Sequence, residues 1–84
     1  MIYEIEMIIT TKENVRDPEG ESIKMYAVDK VDDSVSEVRA GKYLLFRIDA
    51  ESETEAMEKV KIIADKARLY NPIIHQVKVR SIGR

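Results

Sequence analysis

Three observations predict an α+β fold with the element order β-α-β-β-α-β. Runs of alternating apolar and polar residues mark strands near both ends of the chain and in its middle. Two stretches with apolar residues at helical spacing, each opened by an N-capping residue, lie between them. A glycine-containing link joins two β-rich runs and reads as a hairpin.

The first strand is residues 2–10, IYEIEMIIT. Tyr3, Ile5, Met7 and Ile9 share one parity and Glu4 and Glu6 the other, so one face is buried and the acidic side chains point away from the core. Residues 11–16 are a polar loop. Asp17 can accept from free backbone N–H groups at a helix start, and Pro18 suits the first helical position. Ile23, Tyr26, Ala27 and Val31 continue as a helical stripe ending near Lys30, with Asp32, Asp33 and Ser34 as the exit turn.

Residues 35–40, VSEVRA, are expected as a short second strand, Gly41-Lys42 as a tight turn, and 43–49, YLLFRID, as the third strand. Ser52 and Glu55 have capping-box spacing: the Ser oxygen takes the Glu55 amide and the Glu returns to the Ser52 amide. Ala56, Val60, Ile63, Ala64 and Ala67 form the stripe of the second helix, and Asn71-Pro72 stops it. Residues 73–80, IIHQVKVR, are the last strand, with Ser81 to Arg84 as a tail. Residues 1–84 thus read as one ferredoxin-like βαββαβ domain. It has a four-stranded antiparallel sheet with two helices on one face and the other face open.

Composition narrows the function. The 84 residues carry 14 Lys+Arg, 16 Asp+Glu, one His and no Cys. A chain this short has a thin core and little room for an enzyme pocket, and self-association is the remaining way to bury surface. A net charge of −2 gives no bulk attraction to nucleic acid or anionic lipid, and there is no apolar run long enough to span a membrane. The absence of Cys fits a reducing compartment, and a cytoplasmic location is expected.

No catalytic constellation stands out. His75 is the only imidazole, and no second His or Cys exists to build a metal site around it, so it reads as a strand residue near a sheet edge. Asp29, Asp32 and Asp33 lack the alternation and glycine of a calcium loop and read as a solvated helix exit. Gly20, Gly41 and Gly83 are too dispersed to cradle a phosphate. The third strand matches only fragments of an RNA-recognition motif, and Glu4 and Glu6 would repel phosphates. The open sheet face carries Ile2, Glu4, Glu6, Ile8, Tyr43, Leu45 and Arg47, a mixture suited to a protein interface. Arg39 and Lys42 place two cations at the expected hairpin tip, where they could meet a partner or an anion.

Several segments together resemble the PurS family, the small subunit of phosphoribosylformylglycinamidine synthase. Val15-Arg16-Asp17-Pro18-Glu19-Gly20 is similar to its V-x-D-P-x-G helix start, and Val38-Arg39-Ala40-Gly41-Lys42 to its V-R-x-G-K hairpin. Ser52 to Val60 resembles its S-x-x-E-A-x-x-K-V helix, and Asn71-Pro72-Ile73-Ile74 its N-P-[VI]-I segment. Val31-Asp32-Asp33-Ser34 departs from the Leu-Gly-Phe-like turn the family tends to have there.

The resemblance implies a non-catalytic assembly subunit in de novo purine biosynthesis. It would form a homodimer, or a tetramer, bridge a glutaminase subunit and a large ATP-dependent synthetase subunit, and assist ammonia transfer. No cofactor would be bound by this chain alone; ATP and magnesium would belong to the large subunit. In this reading Ile8, Tyr43 and Leu45 serve self-association. Arg39, Gly41 and Lys42 serve a partner or anion contact, and Asp17, Pro18, Gly20, Asn71 and Pro72 shape the backbone. The alternatives are a small-ligand-sensing regulatory module, which the lack of a glycine-rich ligand loop disfavours, and a stand-alone enzyme with sites at subunit interfaces.

Overall fold

A computed structural model describes residues Met1 to Gly83. The regular elements are β1 (Ile2–Thr11), α1 (Pro18–Ile23), β2 (Gly41–Asp49), α2 (Glu53–Lys66) and β3 (His75–Gly83). A wider π-type turn over Lys24–Val28 prolongs α1. The sheet is antiparallel with strand order β2-β1-β3, so β1 is central and β2 and β3 are edges.

The architecture is α+β, but the described residues form three strands rather than four. Residues 35–40 are not a strand, and Gly41 and Lys42 are not a turn: they begin β2, opposite Thr10 and Ile9. The cause is a set of ties to the loop after β1. The Asp17 carboxylate accepts from the Gly20 amide at 3.2 Å and from the Ala40 amide at 2.7 Å. Arg39 donates to the carbonyls of Thr11, Lys12 and Val15 at 3.1, 2.9 and 3.3 Å and to the Thr11 hydroxyl at 2.8 Å. Gly20 sits so close to the Val38 carbonyl that a Cβ would lie 2.2 Å from its oxygen. Held this way, residues 38–40 run straight into β2 instead of folding back along it.

The core lies between β1 and α2. Ile5, Met7 and Ile9 meet Ala56, Val60 and Ala64, with Leu44, Phe46, Ile48, Val77 and Val79 around them. Full burial of side chains such as Ile5, Met7 and Val60 contributes about 1.5–3 kcal/mol each. The alanines let α2 approach the sheet closely. Ser52 caps α2 by accepting from the Glu55 amide at 3.1 Å, whereas the Glu55 carboxylate accepts from the Glu51 amide at 3.2 Å, one residue before the expected partner. β3 begins at His75 and runs on through Ser81 to Gly83, beyond the expected end; Arg84 lies outside the described residues. A bulge opposite Glu4 and Ile5 keeps this pairing going.

The second departure concerns the first helix. Its α-helical part stops at Ile23, and the π-type turn closes with the Asp29 amide on the Lys24 carbonyl at 2.8 Å. No Cα from Pro18 to Val28 lies within 8 Å of a strand or of α2. Residues 18–34 are therefore an arm, and Ile23, Met25, Tyr26 and Val31 are exposed on it instead of covering the sheet. The arm accounts for the shape: extents of 48 × 26 × 15 Å and a Cα radius of gyration of 15.8 Å. A compact chain of this length would have a radius of about 12 Å.

Candidate functional site

The surfaces that can act lie on the uncovered sheet face, on the arm and at the corner between α2 and β3. On the open face β1 presents Ile2, Glu4, Glu6 and Ile8. Tyr43, Leu45 and Arg47 stand opposite on β2, and Lys78 and Arg80 on β3. Ile2, Ile8, Tyr43, Leu45 and Ile82 are exposed apolar or aromatic side chains. Arg47 donates to Glu4 at 2.9 Å, a cross-strand pair open to solvent and worth at most about 1 kcal/mol.

Glu6 differs from its neighbours. It lies on the uncovered face, yet only 9% of it is exposed. Tyr43 donates to one carboxylate oxygen at 2.5 Å, and Arg80 donates to the other through Nε at 2.8 Å and again through its terminal nitrogen. The Tyr43 hydrogen bond, then that from Arg80, holds the Glu6 carboxyl below its ordinary pKa, and the same bond to Glu6 raises that of the Tyr43 phenol. Parity alone placed Glu6 on this face. It could not show the enclosure, because Arg80 reaches Glu6 only through β1–β3 pairing across most of the chain.

The other sequence-marked residues fall in separate places. Arg39 stands at the base of the arm rather than at a hairpin tip, and its guanidinium is committed to oxygens of the loop after β1. Gly41 opens β2 where a Cβ would lie 2.4 Å from the Ile9 carbonyl oxygen. Lys42 is exposed beside it. Asp17 caps α1 with Pro18 in the first turn, and hydrogen bonds from Ala40 and then Gly20 lower its pKa. Asn71 and Pro72 form the turn before β3, and the Asn71 amide donates to His75 Nδ1 at 2.9 Å. Ser36, Glu37 and Val38, with Val15 and Lys24, line a shallow groove between the arm and its base. Among the described residues, no three His, Cys, Asp or Glu side chains are grouped to hold a metal ion. No helix among them is long and apolar enough to cross a membrane.

Comparison with known proteins gives one consistent result. The family model for PurS, phosphoribosylformylglycinamidine (FGAM) synthase, matches residues 4–83. The phosphoribosylformylglycinamidine synthase subunit PurS of Thermotoga maritima is 28% identical over 81 residues, covering 96% of this chain and 98% of that protein. The structure of PurLQS from Thermotoga maritima contains a chain that superposes with a TM-score of 0.86 at 28% identity, covering 98% of this chain and 99% of that one. Methanocaldococcus jannaschii PurS, one of the subunits of formylglycinamide ribonucleotide amidotransferase, superposes with a TM-score of 0.81 at 30% identity over 94% of each chain. With its D-P-x-G arm base, three-stranded sheet and projecting arm, this chain belongs to the PurS family of FGAM synthase subunits.

Proposed function

We propose that the chain is the assembly subunit of a phosphoribosylformylglycinamidine synthase, acting in the cytoplasm as a homodimer that bridges a glutaminase subunit and an ATP-dependent synthetase subunit. The observation that carries the reading is the incomplete layer. The described residues form a three-stranded sheet covered by one helix, and an arm whose helix meets neither the sheet nor α2.

The two defects are complementary. α2 lies over β1 and β3 more than over β2, so the inner side of β2, with Leu44, Phe46 and Ile48, is only partly buried. Lys59 Nζ donates to the Asp49 carbonyl at 3.3 Å, which turns the Lys59, Ile63 and Lys66 flank of α2 towards that side. Ile62 and Ile63 are exposed there. The apolar arm of a second copy fits this shelf. Its residues 35–40 would meet the free β2 edge. Exchange of arms would restore the four-stranded, two-helix layer that the sequence pattern predicts.

The areas agree. The chain exposes 6212 Å², whereas a compact monomer of this mass exposes about 5,100 Å². The excess of about 1,100 Å² is enough for one side of a stable interface, typically about 800 Å² per partner. Ile8, Tyr43 and Leu45 on the open face then form a second surface, which would join dimers into a tetramer. Lys42 remains a partner or anion contact.

On this reading the chemistry belongs to the partners, with ATP and magnesium on the large subunit. Ammonia released into bulk water at neutral pH is protonated and stops being a nucleophile, so docking that shields it has a direct chemical benefit. Native mass measurement of the chain mixed with the two other subunits tests the proposal. A complex containing all three, with this chain present in pairs, is expected. Glutaminase and synthetase subunits that assemble identically without it would overturn the bridging role.

A further inference from the structure

The arm stands on two feet, and one side chain crosses between them. The chain leaves the sheet after Thr11, enters α1 at Asp17 and returns through Val38, Arg39 and Ala40 into β2. The Arg39 guanidinium reaches from the returning foot to the outgoing one. One terminal nitrogen lies 2.8 Å from the Thr11 hydroxyl and 3.1, 2.9 and 3.3 Å from the carbonyl oxygens of Thr11, Lys12 and Val15. The loop that it grips is itself fixed to the sheet. The Lys12 amide donates to the Ile74 carbonyl at 2.9 Å, next to the start of β3, and the Val15 amide donates to the Lys12 carbonyl at 2.9 Å. The other terminal nitrogen lies 3.6 Å from the Glu37 carboxylate, and 26% of the Arg39 side chain is exposed.

Beyond this base little else guides the arm. The Cα atoms from Pro18 to Val28 keep more than 8 Å from every strand and from α2. The arm's own polar bonds are internal: Lys24 donates to Asp29 at 3.0 Å, and the Ser34 amide to the Asp32 carboxylate at 2.8 Å. Its direction is therefore set where it is anchored. Asp17 ties the feet through the Ala40 amide, and a tie at one point leaves a pivot. Arg39 adds separate points at Thr11, Lys12 and Val15, and several points fix an angle. A guanidinium turned to oxygens of its own chain is a poor contact for another molecule, which is the role its sequence position suggests.

We propose that Arg39 is a positioning residue for association: it aims the arm so that the Ile23–Val31 stripe meets a second copy of this chain already ordered. A planar, permanently charged fork can hold oxygens from several residues at once, whereas lysine carries the same charge as a single point. An arm that is preset in direction lowers the ordering cost of association. The inference rests on the exchange of arms proposed above and names the residue that prepares the single chain for it.

The chain has no cysteine, so dyes at Lys30→Cys on the arm and Glu58→Cys on α2 report the arm's direction cleanly by single-molecule energy transfer. The labelled chain is diluted to picomolar concentration to separate the copies, and sedimentation of the unlabelled chain gives the dimer affinity. Arg39→Gln should broaden the transfer distribution and weaken dimerisation roughly ten-fold, with the circular dichroism of the sheet and α2 retained. Arg39→Lys should fall between the two. Thr11→Val, which removes one acceptor and leaves the arginine, should move both readouts the same way by less, and it serves if Arg39→Gln does not fold. An unmoved transfer distribution in these variants would overturn the proposal. Weaker dimerisation with an unmoved arm would make Arg39 a direct partner contact instead. Absence of a wild-type dimer would overturn the exchange of arms, and the transfer distribution would then decide on the aiming of the arm by itself.

Discussion

Tyr43 and Glu6 meet across the uncovered face of the sheet, the phenol donating to the carboxylate at 2.5 Å. They are diagonal neighbours, since Glu6 is paired with Leu45 and Tyr43 with Ile8. Arg80 closes the other side from β3, directly opposite Glu6. The central charge of this face is therefore already satisfied within one chain. What the face offers a partner is the apolar rim of Ile2, Ile8, Leu45 and Ile82 and the ring of Tyr43.

Replacing Tyr43 by Phe should move the Glu6 carboxyl back towards its ordinary pKa, because the strongest of its stabilising bonds is lost. Carboxyl NMR titration reads this directly. The sign follows from linkage. A carboxyl lowered by folding contributes stability that is present above its unfolded value of about 4.3 and lost as pH falls through the folded one. The variant should show less of that acid dependence, and an unmoved Glu6 titration would mean the bond does not persist in solution.

Asp17 is the joint between arm and sheet. Asp17→Ala removes the cap of α1 and the tie to Ala40 together, and should cost about 1–2 kcal/mol in denaturant unfolding. The Asp17 pKa is lowered, chiefly by the Ala40 amide, so this contribution is complete above the unfolded value of about 3.9 and disappears as pH falls through the folded one. The Gly20 and Ala40 amide shifts should titrate together in that acid window. Independent midpoints would contradict the shared tie.

Gly20 and Gly41 are required by close approach. A Cβ at Gly20 would meet the Val38 carbonyl oxygen at 2.2 Å and one at Gly41 the Ile9 carbonyl oxygen at 2.4 Å, both backbone atoms that cannot swing aside. Either Gly→Ala substitution should destabilise by about 1–3 kcal/mol. Gly20→Ala should also loosen the arm base, seen as faster amide exchange at Ala40. Unchanged stability would show that the backbone relaxes.

Val31 tests the arm. It is 90% exposed in the single chain, and an exposed site tolerates Val→Asp within about 0.5 kcal/mol. If a second copy covers the arm, Val31→Asp should instead shift sedimentation from dimer towards monomer, weakening association at least about ten-fold. Dimerisation equal to wild type would remove the arm from the interface.

Much of this molecule was legible in its sequence. The alternation of Ile5, Met7 and Ile9 and the helical spacing of Ala56, Val60 and Ala64 mark the two surfaces that form the core. Ser52, Asp17 and Pro18 mark the helix starts where the structure has them. The errors came where a local pattern answers to a distant contact. Val35 to Ala40 has strand-like composition, but Asp17, Gly20 and Arg39 hold its end against the loop after β1. Gly41 suggested a turn, although a neighbouring carbonyl rather than a bend requires it. The Ile23–Val31 stripe points to burial, and nothing among the described residues covers it. The enclosure of Glu6 and the left-handed backbone at Arg68 depend on pairing and helix-end geometry that no local window contains.

In the proposed role this chain would couple ammonia release to its use, with the chemistry of both steps in its partners. Its most direct test compares formylglycinamidine ribonucleotide synthesis by the glutaminase and synthetase subunits, with and without this chain, using glutamine or free ammonium as nitrogen source. Omitting the chain should abolish most glutamine-driven synthesis and leave ammonium-driven synthesis largely intact. Glutamine-driven synthesis undiminished in its absence would contradict it.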